Sequence, residues 1–124
     1  MAETVVRKDM LSQRELSAFC AQIAMIMKSG ISISEGVSIM WEDMKNPQDK
    51  GIIGQIHKQV ESGMPLHKAL ADTRKFPSYM MDMTEIGETT GRLDEVMDSL
   101  CVYYAREESI SKSVRSAVTY PLIM

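Results

Sequence analysis

The sequence predicts an all-α protein, an antiparallel bundle of about six helices that ends in one long helix. Three observations carry that expectation. The 124 residues include 12 Met but only 2 Phe, 4 Pro and 7 Gly, and Met, Ala, Leu, Glu and Lys all favour helix. Apolar residues recur at spacings of three and four, with no sustained alternation of the kind a half-buried strand requires. Serine–glutamate pairs, Asn-Pro and glycines fall at the ends of those stripes, where helices start and stop.

Residues 1–10 show no periodicity and are expected to be a flexible arm, with residues 11–124 forming one helical domain. Ser12 and Glu15 have the spacing of a capping box and start the first helix. Leu16, Phe19, Cys20, Ile23, Ile26 and Met27 form its stripe, and Gly30 stops it. Ser32 and Glu35 repeat the box before Ile33, Val37, Met40, Trp41 and Met44, with Trp41 read as a core anchor. Asn46 caps the third helix and Pro47 takes its first position. Ile52, Ile53, Ile56 and Val60 follow, and Gly63 ends it.

Pro65 opens a short fourth helix with Leu66, Ala69 and Leu70 inward and His67 exposed in the first turn. Pro77 opens a fifth, with Met80, Met83 and Ile86 as its inward stripe. Gly87 and Gly91 bracket a tight connection, at positions that need close backbone approach or positive φ. Leu93 then anchors the sixth helix, which runs toward Tyr120 over about 28 residues, or roughly 42 Å. That is longer than the neighbouring bundle needs, so its end is expected to project, with Pro121 as a bend or stop. Hydrophobicity rises through Tyr120-Pro121-Leu122-Ile123-Met124, and an apolar continuation is expected there.

Composition narrows the function. Apolar residues at 44% and charged residues at 25% are those of a globular chain. A net charge of −3 argues against a nucleic-acid partner, which calls for a basic surplus. Cys20 and Cys101 each sit in an apolar stripe and read as free, buried thiols of a reducing compartment. The first nine residues are polar and lack the apolar core of a signal peptide, and no run of about 20 apolar residues is present to span a bilayer.

Catalysis finds no constellation. Gly87 to Gly91 lacks the Lys-Ser/Thr of a phosphate loop, and no Ser-His-Asp or Cys-His arrangement is arguable. The chain is therefore read as a non-enzyme. His57 and Glu61, at i and i+4, read as a surface pair rather than as half a metal site. Glu88 reads first as a capping carboxylate near the start of the sixth helix, where an acid favours the dipole or accepts backbone N–H groups. Asp82, Glu85, Glu88, Asp94, Glu95 and Asp98 read first as a solvated acidic face. Their second reading is an oxygen-rich calcium site with Glu88 and Asp94 as ligands, although EF-hand spacing is lacking.

Four stretches carry a family resemblance: Phe19-Cys20-Ala21-Gln22-Ile23-Ala24 leading to Ser29-Gly30-Ile31-Ser32-Ile33, Val60-Glu61-Ser62-Gly63-Met64-Pro65-Leu66-His67-Lys68-Ala69-Leu70, Phe76-Pro77 followed by Gly87-Glu88-Thr89-Thr90-Gly91-Arg92-Leu93, and Ala117-Val118-Thr119-Tyr120-Pro121. In order and spacing the chain resembles the F domain of type II secretion, shared with the platform protein of type IV pili (the GspF/PilC family). The Gly-Glu-x-x-Gly-x-Leu element and the terminal Tyr-Pro are the specific parts. The family often has a basic residue where this chain has Ser113, with Lys112 and Arg115 nearby.

The resemblance implies the first of two cytoplasmic domain copies in a polytopic inner-membrane protein, with a transmembrane helix beginning at Pro121. Arg106, Lys112 and Arg115 would then be a juxtamembrane basic flank. It implies contacts with an assembly ATPase, with other inner-membrane pilus or secretion components and with pilins. A homodimer is a separate expectation from the residues, because amphipathic helices of this kind can present a second apolar face. Calcium at a subunit interface is also implied by some members. The alternative is a stand-alone helical adaptor or regulatory binding domain.

Overall fold

A computed structural model describes residues 10–123, and side chains through residue 108. Expectations for residues 1–9, and for the side chains of Lys112, Arg115, Ala117, Val118, Tyr120 and Pro121, fall outside these limits. Six helices and no strand occur among the described residues. They are α1 (Gln13–Lys28), α2 (Ile33–Asp43), α3 (Pro47–Glu61), α4 (Leu66–Thr73), α5 (Ser78–Thr90) and α6 (Leu93–Ile123). Each helix packs on the next, and α6 closes the ring through its extensive pairing with α1. The all-α bundle and its long last helix are as the sequence predicts. That helix is 31 residues, so it does not stop at Pro121. Proline's fixed φ near −65° is itself helical, and its cost lies in one lost hydrogen bond and one steric contact.

The caps follow the local chemistry. Ser12 Oγ accepts from the Glu15 amide at 3.1 Å, and the Ser12 amide donates to Glu15 Oε1 at 2.9 Å, completing the box. In α2 only the forward bond forms, from the Glu35 amide to Ser32 Oγ at 3.2 Å. Asn46 Oδ1 accepts from the amides of Gln48 and Asp49. Two first-turn donors of α3 are thereby satisfied, and Pro47 has no amide to satisfy.

The core runs through the middle of the ring. Leu16, Phe19, Cys20, Ile23 and Ala24 of α1 meet Met97, Leu100 and Tyr104 of α6 and Met80 of α5, all buried. Phe19 and Phe76 rings pack tilted at 5.1 Å between centroids, and the Cys20 and Met80 sulfurs are 4.0 Å apart. Each large side chain buried here contributes about 1.5–3 kcal/mol by leaving water.

Three placements differ from the periodicity. The buried face of α5 is Met80, Thr84 and Gly87, while Met83 is half-buried and Ile86 is 52% exposed. Thr84 is admitted because its hydroxyl donates to the Met80 carbonyl at 2.7 Å, leaving no unsatisfied donor. Trp41 is not a core anchor. It is 38% exposed, stacks on His57 at 6.2 Å, and has Lys50 Nζ 4.9 Å from its ring centre. Cys101 is half-buried, and both thiols are free.

Candidate functional site: the junction of the fourth, fifth and sixth helices

Helix α4 begins without a side-chain cap of its own. Its N-cap is Pro65, which has no side-chain acceptor, so the first-turn amides need a partner from elsewhere. Glu88, near the end of α5, supplies it. The Leu66 amide donates to Glu88 Oε2 at 2.7 Å and the His67 amide to Oε1 at 3.0 Å. His67 Nδ1 also lies 2.7 Å from Oε1. Since that oxygen accepts, Nδ1 carries the hydrogen. A carboxylate at a helix N-terminus gains from the aligned peptide dipoles as well as from the individual bonds.

Glu88 and His67 both sit differently from what the sequence predicts. Glu88 is a capping carboxylate, but it caps α4 from 22 residues away rather than the adjacent sixth helix. His67 is not exposed: its side chain retains 20% of its accessible surface and Glu88 retains 23%. Glu85 Oε2 stands 3.8 Å from His67 Nε2 on the solvent side. The available signal was Pro65 itself, since a helix opened by a residue that cannot cap leaves two donors for a distant acceptor.

The two glycines around Glu88 do different work. At Gly87 an added Cβ would come within 3.0 Å of Leu93 Cα and 3.1 Å of Val96 Cγ2, so the missing side chain is what lets α6 approach α5. At Gly91 nothing lies within 4 Å, but φ is +73°, the left-handed region disfavoured for other residues. There the chain reverses, and the Arg92 amide donates to the Gly87 carbonyl at 2.9 Å, the six-to-one bond of a Schellman ending. Leu93 then enters the core, 4% exposed. The Gly-Glu-x-x-Gly-x-Leu element thus sets one helix contact, one turn, one anchor and one cap for a third helix.

The other expected positions take structural places. Gly30 and Gly63 have φ of +83° and +101°, at the ends of α1 and α3. Pro77 is the N-cap of α5. Asp94 is not brought beside Glu88 in a ligand set. The hydrogen bond that the exposed Lys28 ammonium donates to Asp98, and to a smaller extent the Asp94 charge, instead raise the Lys28 pKa. Lys28 Nζ and Asp98 Oδ2 are 2.5 Å apart and about half exposed. Among the described residues no three His, Cys, Asp or Glu side chains gather as a metal-binding group. Nor is any helix of those residues long and apolar enough to cross a membrane.

Comparison with known proteins gives this geometry a family. The model for type II secretion system (T2SS) protein F matches residues 19–124, including the whole junction. Among curated proteins, the type IV pilus assembly protein PilC of Thermus thermophilus is 29% identical over 111 residues, covering 90% of this chain and 27% of the relative. PilC of Pseudomonas aeruginosa is 29% identical over 112 residues, covering 87% of the chain and 29% of the relative. The type II secretion system protein F of Aeromonas hydrophila is 28% identical over 106 residues, covering 86% and 27%. The chain therefore spans less than a third of the length of these relatives. With the family model covering all but the first 18 residues, the chain belongs to the type II secretion system protein F family.

Proposed function

We propose that the chain is a non-catalytic cytoplasmic module of an inner-membrane platform protein that assembles type IV pili or type II secretion pseudopili. In this reading it takes work from a cytoplasmic assembly ATPase and passes it to pilins and other membrane components. The observation that carries the proposal is the family match over residues 19–124, together with relatives named for both pilus assembly and type II secretion. The junction supports it physically. A cap reaching from α5 to α4, and a glycine contact joining α5 to α6, tie three helices into one unit that can transmit a push. The remaining two-thirds or more of the relatives' length leaves room for the membrane-spanning part.

The test is genetic. In cells carrying the full gene, in-frame removal of the segment for residues 11–108 is expected to abolish surface pili or secretion while the remaining protein still reaches the membrane. Undiminished assembly with the segment absent would contradict the proposal.

A further inference from the structure

On the arc of the ring away from the junction, α1, α2 and α3 leave two adjoining hollows. One, of about 320 Å³, lies between α1 and α2 and is lined by Met25, Ile26, Ile39, Met40 and Met44. The other, of about 110 Å³, lies between α1 and α3, and Gln22, Met40 and Met44 line both, so the two adjoin as one largely apolar track. Met25 is 70% exposed and Ile39 is 43% exposed, although both lie beside a well-packed core. The charged side chains lining the track are Asp43, Glu15 and Asp49, all acidic. Among the described residues none of the three forms an ion pair; of the neighbouring lysines, Lys28 is paired with Asp98 and Lys50 lies over Trp41. Burial, and then the neighbouring Glu15, raise the Asp49 carboxyl above its ordinary value. A cation arriving between the two carboxylates would relieve that repulsion.

We infer that this track is a docking groove for an amphipathic helix of a partner protein, with apolar anchors along one face and Lys or Arg on its flanks. The charge complementarity selects this occupant, because a neutral or acidic helix would bring no cation to the three acidic side chains at the rim. Helix-in-groove recognition needs such a trough between two helices. Methionine side chains suit it because they repack around different anchors at low cost. The groove is separate from the junction, so the inference does not depend on the role proposed for the junction.

The probes are two synthetic helical peptides with the same leucine face, one flanked by lysine and the other by glutamate. Each is titrated into the isotope-labelled 124-residue chain and followed by NMR. The lysine peptide is expected to shift amides of residues 22–26, 36–44 and 49–53. It should bind roughly tenfold more tightly than the glutamate peptide at low salt, with the preference shrinking as salt is added. The triple variant Glu15→Gln, Asp43→Asn, Asp49→Asn should lose the preference while keeping its helical circular dichroism, and Ile39→Asp should lose binding of both peptides. Four results would each overturn the inference: equal affinity for the two peptides, shifts confined to α5 and α6, no shifts at millimolar peptide, or self-association of the chain through Ile39 with no effect of peptide.

Discussion

Replacing Glu88 with alanine probes the junction most sharply. The change removes both first-turn acceptors of α4 and the partner of His67 Nδ1. A lost N-cap costs about 1 kcal/mol. Leaving half-buried amide donors short of a partner adds about 1–2 kcal/mol, because water reaches them only in part. The expected loss is about 2–3 kcal/mol, or a melting temperature lower by about 10 °C for a chain of this size. Two companions test the assignment. Glu88→Gln keeps one acceptor oxygen but loses the charge, and should cost about 1–2 kcal/mol. His67→Ala keeps both backbone bonds and should cost about 1 kcal/mol. Urea unfolding followed by circular dichroism at neutral pH gives all three. A Glu88→Ala loss below about 0.5 kcal/mol, or a His67→Ala loss exceeding it, would refute the reasoning that the backbone cap is the dominant interaction.

Other consequences are equally concrete. Gly91→Val forces a β-branched residue to φ of +73° and should cost about 1–3 kcal/mol with no steric clash. Gly87→Ala meets Leu93 Cα at 3.0 Å and should cost a similar amount by pushing α6 away, visible as lost protection of α6 amides in hydrogen exchange. Among the described residues the Tyr104 hydroxyl is buried without a hydrogen-bond partner, and burial raises its pKa. Tyr104→Phe should therefore leave thermal stability unchanged or raise it by up to about 1 kcal/mol, and a loss of about 1 kcal/mol or more would contradict this. Burial first, and then Cys101, push the Cys20 thiol from its ordinary 9.0 up to about 12. A raised folded value means its contribution to stability is complete below pH 9 and is lost as pH climbs toward 12. At pH 8 a thiol reagent should reach Cys101 first and Cys20 only as fast as the chain unfolds, and prompt modification of both would contradict this.

Much of the fold is legible in the residues because its boundaries are written in local chemistry. Ser12, Asn46 and Gly91 each act within a few residues of themselves, and the caps and turns they specify are found there. The core stripes of α1 and α4 are legible for the same reason, as apolar side chains at helical spacing. What local reading misses depends on contacts distant in sequence. Ile86 fits the stripe of α5 as well as Thr84 does, and only the hydroxyl bond back to Met80 and the approach of α6 at Gly87 decide which faces inward. Trp41 is apolar enough for the core, yet α3 offers it His57 and Lys50 at the surface instead. The pairing of Glu88 with His67 spans 21 residues, beyond any periodicity, and only the uncapped start behind Pro65 hints at it.

The proposed role in a motor is tested most directly by titrating the purified chain with the assembly ATPase of its own organism, with and without nucleotide. The account predicts saturable binding whose affinity changes with the nucleotide bound, and a weaker response from Glu88→Ala at a temperature where that variant remains folded. An ATPase that shows no binding at high micromolar concentration, or equal binding in every nucleotide state, would contradict the claim that this chain receives the motor's work.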